Sequence, residues 1–209
     1  TGCTITNNNW SSTAARTAIA LNSADGNIVQ DNELNPAGET GISLISSDNN
    51  IVKGNTVSMD RVGQAILVDT SSNNLIVGNT CTDTVAGGTG IKLAGNIGDG
   101  LYSGNTIKGN TFTGEWTCGI ALHDGTNNIV EYNTSEATGS HNAFGIHTGY
   151  GKASSGNIIR YNTFSSETGL VMYAKNWQFP SEPFGTFTNI QFTSNTITGS
   201  SGIKISSDI

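Results

Sequence analysis

Two histidines, His123 and His147, have the residue type and the spacing that most directly indicate chemistry in this sequence. Each lies in a short run that begins with Gly-Ile, and a neutral imidazole can act as a general base near neutral pH. Acidic, phenolic and cationic side chains accompany them, and two tryptophans have rings that suit the C–H faces of sugars. The candidate catalytic residues are His123, His147, Asp124, Asp69 and Tyr173. The candidate substrate-binding residues are Lys92, Tyr150, Lys175, Trp116 and Trp177.

A repeated unit must position these residues. Each copy contains a short apolar run, such as Gly119–Leu122, and two corner asparagines that are five residues apart, or six apart in the last copy. The second asparagine recurs after 23, 24, 31, 23, 29 and 33 residues, which is typical of a solenoid with loop insertions. The first corner asparagines are Asn27, Asn50, Asn74, Asn105, Asn128, Asn157 and Asn189. The second are Asn32, Asn55, Asn79, Asn110, Asn133, Asn162 and Asn195.

The apolar runs predict strands rather than helices, because they are three to five residues long, rich in β-branched residues and without helical periodicity. We therefore predict an all-β fold, a single-stranded right-handed parallel β-helix of about eight coils with three short strands per coil. Asparagine tolerates the left-handed backbone of a sharp corner, and stacked asparagines can form hydrogen-bonded ladders. We expect one domain over residues 1–209, in which residues 1–16 form an N-terminal cap or an irregular first coil.

Alternation along the first strand of each coil predicts two columns of outward side chains, with coils about 4.8 Å apart. His123 and His147 are then expected on adjacent coils but one column apart. One predicted column contains Ser43, Leu67, Lys92, Ala121, His147, Val171 and Lys204, and the other contains Ile45, Asp69, Ala94, His123, Gly149, Tyr173 and Ser206. Loop insertions flank this strand in the later coils and are predicted to wall a groove over it.

Composition narrows the classes of function. The net charge of −7 and the scattered basic residues argue against a nucleic-acid surface. No apolar run approaches the roughly 18 residues that span a bilayer. The three cysteines have no metal-ligand spacing, so no metal site is predicted from them. Because no initiator Met or signal peptide is present, we expect a mature or excised segment of a longer chain.

The Ile-Val-x-Gly-Asn-Thr and Gly-Ile-x-Leu units resemble the parallel β-helix repeat family from Thr17 to Ile205. That family includes pectate lyases, polygalacturonases, alginate-modifying enzymes and phage tailspikes, so the resemblance implies a polysaccharide partner and an extracellular or cell-surface location. Gly119–Thr134 resembles, more narrowly, a disaggregatase-related group of archaeal surface proteins that act on a chondroitin-like polymer. Neither the three clustered aspartates of polygalacturonases nor the Tyr-Gly-Phe-Asp-Pro-His run of alginate epimerases is visible.

The leading functional hypothesis is cleavage of an acidic polysaccharide in the groove. In β-elimination, His147 or His123 would remove the proton beside a uronate carboxylate. Tyr173 or Tyr150 would protonate the leaving oxygen, while Lys92 or Lys175 neutralises the carboxylate. Hydrolysis needs two carboxylates, and the available pair is Asp69 and Asp124, roughly 9–10 Å apart by strand spacing. Elimination is favoured because the histidine, tyrosine and lysine candidates lie nearer to one another.

Two alternatives are left open by the residues. The first is a non-catalytic protein: a surface adhesin, a sugar-binding module or a filament subunit that stacks coil on coil. The filament is an option because an uncapped β-helix end permits axial stacking.

The second alternative concerns the cofactor. No cofactor is required by the elimination chemistry, but a Ca²⁺ ion that bridges a polyanionic substrate to Asp69 or Asp124 is compatible with the sequence.

Overall fold

The computed structural model describes residues 2–12, 14, 17–36, 39–94, 102–138, 142–148, 152–167, 170–174 and 185–207, with backbone only at 170–174 and 205–207. Three predicted site residues, Tyr150, Lys175 and Trp177, lie outside the described residues. Tyr173 is described by its backbone alone. No helix in the described part of the chain is long and apolar enough to cross a membrane.

Short strands make up the regular structure of the described chain. The first nine are β1 (Thr4–Thr6), β2 (Asn9–Ser11), β3 (Thr17–Asn22), β4 (Ile28–Gln30), β5 (Glu33–Asn35), β6 (Thr40–Ile45), β7 (Ile51–Lys53), β8 (Thr56–Met59) and β9 (Gln64–Asp69). The next nine are β10 (Leu75–Val77), β11 (Thr80–Asp83), β12 (Thr89–Ala94), β13 (Thr106–Lys108), β14 (Thr111–Gly114), β15 (Cys118–His123), β16 (Ile129–Glu131), β17 (Thr134–Ala137) and β18 (Asn142–Thr148). The last eight are β19 (Ala153–Ser155), β20 (Ile158–Arg160), β21 (Thr163–Ser165), β22 (Leu170–Ala174), β23 (Thr186–Thr188), β24 (Gln191–Thr193), β25 (Thr196–Thr198) and β26 (Ile203–Ser207).

These strands stack into three parallel sheets. Within the described ranges each sheet has eight strands, and successive coils contribute one strand to each. Sheet A has the order β1-β4-β7-β10-β13-β16-β20-β24, and sheet B has the order β2-β5-β8-β11-β14-β17-β21-β25. The long-strand sheet has the order β3-β6-β9-β12-β15-β18-β22-β26, and β19 pairs separately with β23. The predicted parallel β-helix with three strands per coil is confirmed.

The N-terminal residues take part in the first coil. Thr4–Thr6 pairs in parallel with β4, and Asn9–Ser11 pairs with β5. Asn8 also supplies a corner asparagine, because its Nδ2 donates to Asn32 Oδ1 at 2.9 Å. This coil therefore has strands in sheets A and B.

Apolar side chains from all three sheets fill one continuous core. The inward positions that alternation predicts are fully buried, as at Ile120, Leu122 and Val130. Aromatic rings occupy the later coils, where Phe144 stacks on Phe164 with ring centroids 5.3 Å apart. A coil cannot bury its apolar face alone, so the stack itself supplies the hydrophobic stabilisation.

Two asparagine ladders line the corners on either side of sheet A. In the second ladder, Nδ2 of each asparagine donates to Oδ1 of the next, over 2.9–3.0 Å from Asn8 to Asn195. The first ladder runs from Asn27 to Asn157. The prediction that Asn189 continues it is wrong. Gln191 N bonds to Asn157 O, so the ladder position falls on Ile190, and Asn189 adopts a left-handed φ of 54° one residue earlier.

The register of the long-strand sheet also differs from the prediction at β18. His147 pairs with His123, and Gly145 pairs with Ala121, which is a shift of two residues. The shift places Phe144 opposite Ile120, where its ring is fully buried. Burial of this ring decides the register, since a shift of two residues preserves the inward and outward alternation.

Candidate functional site

The two histidines stack directly on each other on the outer face of the long-strand sheet. Their ring centroids are 4.4 Å apart and their planes differ by 28°. Both side chains are half-buried. The prediction that they lie one column apart is wrong, because the register of β15 and β18 puts them in the same column. The structure thus brings the two candidate bases closer together than the repeat pattern predicted.

Gly145 makes room for the ring of His147. A Cβ atom at Gly145 would lie 2.8 Å from His147 Nε2 and 3.4 Å from Cys118 Sγ. The imidazole therefore lies over the glycine instead of extending straight into solvent. Cys118 Sγ donates to Ile120 O at 3.0 Å, and burial raises the pKa of this thiol to about 12, so it stays protonated. The sequence did not predict this role for Gly145, because matching Gly145 with Gly119 put it in the wrong register.

Gly145→Ala is expected to displace the His147 ring without removing any ionisable group. The new methyl would approach Nε2 more closely than real Cβ atoms allow, but the imidazole is the end of a side chain and can rotate away. We expect a change below about 1 kcal/mol in the free energy of unfolding and a clear shift of the His147 imidazole signals in the NMR spectrum. Ala121→Gly, one coil earlier in the same column, is the matched control. Unchanged histidine signals in Gly145→Ala would show that the ring does not rest on this glycine.

The environment of the pair keeps both rings neutral at pH 7. Burial, and to a smaller extent the Lys92 ammonium, lower the pKa of His147 to about 4. Burial also lowers the pKa of His123 well below its ordinary value, and the charges of His147 and Lys92 act in the same direction. A proton on either ring is disfavoured by burial and by the lysine, and a proton on His123 is also disfavoured by the charge of His147. Each ring is consequently unprotonated over most of the physiological pH range.

Lys92 lies in the neighbouring column of the same face. It pairs with Ala121, which in turn pairs with Gly145 beneath the His147 ring. Its half-buried side chain is near enough to depress both histidine pKa values. The arrangement places a positive charge beside two neutral bases. This combination suits the removal of a proton from a carbon next to a carboxylate, because the cation neutralises the carboxylate while a base accepts the proton.

Tyr173 belongs to the histidine column. Its backbone on β22 pairs with His147, so His123, His147 and Tyr173 occupy three successive coils. The sequence had placed Tyr173 in this column but His147 outside it. The register of β15, β18 and β22 therefore places the candidate acid in the same column as both candidate bases.

Asp69 and Asp124 lie on different coils of the sheet. Asp69 pairs with Ala94, two coils before His123, and its Oδ1 accepts a hydrogen bond from Thr70 Oγ1 at 3.0 Å. Asp124 follows His123 at a corner with a left-handed φ of 58°, and its N–H donates to His147 O at 3.0 Å. The structure keeps Asp69 and Asp124 on coils two apart, as the repeat predicts.

Trp116 is not available for stacking on a sugar. Its side chain is fully buried, and its Nε1 donates to Thr113 O at 3.1 Å. The ring closes the core beside Gly88, where a Cβ would lie 3.3 Å from its Cε3 atom. The prediction of a platform is wrong because the loop residue folds inward, where a large apolar ring gains most from burial.

The fold and this site define a parallel β-helix protein with a paired-histidine face. Residues 1–134 of the 209 match the family model described as "Periplasmic copper-binding protein (NosD)". The chain therefore belongs to the NosD family, a right-handed parallel β-helix family whose location is periplasmic and so outside the cytoplasm. The match includes His123 and ends before His147. No curated protein matches the chain significantly.

Proposed function

We propose that this protein is an extracellular or cell-surface enzyme that cleaves an acidic polysaccharide by β-elimination on the outer face of the long-strand sheet. The observation that carries the proposal is the stacked pair of neutral imidazoles, 4.4 Å apart, beside the Lys92 ammonium. Parallel coils give this face a long, regular surface on which a polymer can lie. Membership of a β-helix family is consistent with this use of the fold but does not specify the chemistry.

The reaction begins when Lys92 binds the uronate carboxylate. Neutralising this charge makes the proton on the adjacent carbon more acidic. His147 removes the proton, the electron pair of that C–H bond forms a carbon–carbon double bond, and the glycosidic C–O bond on the next carbon breaks. Tyr173 supplies a proton to the departing oxygen. Tyr150, outside the described residues, is the alternative acid.

The two histidines have complementary tasks. His147 rests on Gly145 and faces the Lys92 column, so it is the base that we favour. His123 stacks against it and keeps water from one face of its ring. Because His123 is itself harder to protonate, the abstracted proton stays on His147 until it passes to solvent or substrate.

Elimination is favoured over hydrolysis by the placement of the carboxylates. Asp69 and Asp124 lie two coils apart, about 9–10 Å by strand spacing, and neither lies in the Lys92 column. That separation is at the wide limit for an inverting pair of acids. Asp69 lies in the histidine column two coils before His123, and Asp124 follows His123 at the corner.

The test is an ultraviolet assay for the unsaturated product with polygalacturonate, alginate, chondroitin and hyaluronan as substrates. We expect absorbance to rise with at least one of the four. The acidic limb of kcat/KM should lie near pH 4, the pKa of His147, and not near the ordinary histidine value of 6.5, because the base is active only when unprotonated. The proposal is wrong if no polymer yields product. Binding without product would instead favour the non-catalytic sugar-binding module.

The copper named in the family description does not fit the described donor set. Copper sites use imidazole nitrogen and soft sulfur ligands. In the described ranges no three His, Cys, Asp or Glu side chains come together to hold a metal. The lone pairs of His123 and His147 lie in ring planes that are nearly parallel, so they do not converge on one ion. The mechanism above therefore uses no copper.

A further inference from the structure

A second cluster of exposed aromatic and charged side chains lies at the corner between sheets A and B, away from the histidine face. Tyr132 and Tyr161 occupy this corner on adjacent coils and are 52% and 48% exposed. Their ring centroids are 5.1 Å apart and their planes differ by 14°. Exposed aromatic rings held in a fixed arrangement are unusual on a surface that is otherwise small and polar.

The tyrosines occupy a position that other coils fill with small or short side chains. The equivalent corner residues are Asp31, Gly54, Gly78, Gly109, Tyr132, Tyr161 and Ser194. All have a left-handed backbone, with φ of 57° at Tyr132 and 56° at Tyr161. This conformation is costly for a bulky residue, because its Cβ crowds the following carbonyl oxygen. Two bulky residues with a left-handed backbone on adjacent coils therefore introduce local strain. The fold does not need this strain, since glycine occupies the same position in three other coils.

The corner residues on either side of the tyrosine pair are small. Gly109 precedes Tyr132 in the corner column and has no side chain, and Ser194 follows Tyr161 with a small one. Gly78 and Gly109 leave open space along this corner before the Tyr132 ring, whereas the Asp31 carboxylate lies over Gly54. A flat ligand can therefore lie along this corner against the exposed parts of the two rings.

Fixed cations flank the rings. Lys108 Nζ is 5.3 Å from the centroid of Tyr132, and Arg160 Cζ is 5.9 Å from that of Tyr161. Glu131 holds both cations, with its carboxylate oxygens 2.9 Å from Lys108 Nζ and 2.8 Å from Arg160 Nη2. The hydrogen bond from Lys108, with a further one from Arg160, lowers the pKa of Glu131, so these charges are maintained at neutral pH. The three charged groups carry a net charge of +1.

We infer that Tyr132 and Tyr161, with Lys108 and Arg160, form a second binding site for a sugar chain, with a preference for acidic pyranose rings. Aromatic faces stack on the C–H surfaces of pyranoses, and the adjacent cations attract carboxylate or sulfate groups. The corner is on the opposite side of the coil from the histidine face, so a polymer can occupy both sites without overlap. The site takes its ligand class from the proposed function but does not depend on cleavage.

The experiment is affinity electrophoresis of a His123→Gln/His147→Gln protein in gels that contain polygalacturonate or neutral dextran. The histidine substitutions prevent cleavage of the matrix, so binding is measured alone. In this background, Tyr132→Gly/Tyr161→Gly restores the residue that three other coils use and removes both rings. We expect the polygalacturonate gel to retard the parent protein. The affinity of this variant for polygalacturonate should be lower than that of the parent by a factor of up to roughly ten. Dextran should retard the parent less than polygalacturonate.

Ser194→Gly in the same background is the matched control, because it makes the same type of change in the next coil without removing an aromatic ring. It should migrate like the parent. Equal retardation of the tyrosine variant, or free migration of the parent in both gels, would overturn the inference. A fall in oligomeric mass of the tyrosine variant in sedimentation equilibrium would also overturn it, by identifying the corner as a contact between copies of this chain. A failed ultraviolet assay, in contrast, bears on the histidine face alone.

Discussion

His147→Gln should lower kcat for β-elimination by a factor of about 10² to 10⁴, the contribution of a positioned general base. Glutamine has a similar length and can form hydrogen bonds, but it cannot accept the proton from carbon. His147 is half-buried on an outer face, so the substitution leaves the core unchanged. KM should change little, because the Lys92 contact with the substrate carboxylate is kept. Initial rates from the ultraviolet assay, over a range of substrate concentrations, separate the two parameters.

The partner ring provides the internal comparison. His123→Gln should reduce kcat less than His147→Gln. It should also move the acidic limb of the pH profile upward, because the stacked ring contributes to the burial that lowers the His147 pKa. Lys53→Gln, on the exposed face of sheet A, is the control and should match the wild type. Full activity in a His123→Gln/His147→Gln protein would remove the histidine pair from the mechanism.

Asn110→Ala should destabilise the fold by about 3 kcal/mol, the largest effect on stability that we expect from one substitution at a corner. Asn110 is buried in the middle of the second ladder. Its Oδ1 accepts hydrogen bonds from both N and Nδ2 of Asn79, each at 2.9 Å. Its Nδ2 donates to Ile76 O and to Asn133 Oδ1, each at 3.0 Å. Alanine leaves these buried partners without hydrogen bonds, and that penalty exceeds the net value of the bonds themselves.

Asn195→Ala gives the matched comparison at the end of the same ladder. Asn195 is half-buried, its Oδ1 accepts from N and Nδ2 of Asn162, and its Nδ2 donates to Ile159 O at 2.8 Å. Fewer buried groups lose a partner, and solvent can reach those that do, so we expect a cost of about 1 kcal/mol. Urea denaturation followed by circular dichroism measures both values. Equal costs at the two positions would show that position in the ladder does not matter.

At the histidine column the predicted fold was correct but the predicted strand register was wrong. Gly145 and Gly119 both precede isoleucine, so matching by residue type aligned them. The structure instead pairs Gly145 with Ala121, because the Phe144 ring then enters the core and stacks on Phe164. A shift of two residues leaves the alternation intact, so periodicity cannot detect it. Only the volume available inside the coil distinguishes the two registers.

Asn189 illustrates the same limit at a corner. An asparagine one residue before the ladder position adopts the left-handed backbone, while Ile190 takes the place opposite Asn157. Both residues suit the corner locally, and the spacing of five residues to Asn195 decides between them. The six-residue spacing in the sequence was the signal of this departure.

By itself, the sequence determined the repeat, the three strands of each coil, the inward residues and most of both asparagine ladders. These follow from local rules, because each coil repeats the same alternation and the same corner chemistry, and each asparagine meets its own copy one coil away. Tertiary structure alone decided that His123 stacks on His147, that Trp116 is buried, and that Tyr132 and Tyr161 form an exposed pair. These features depend on how coils of unequal length align and on which rings fit the core, and both are set by packing between coils.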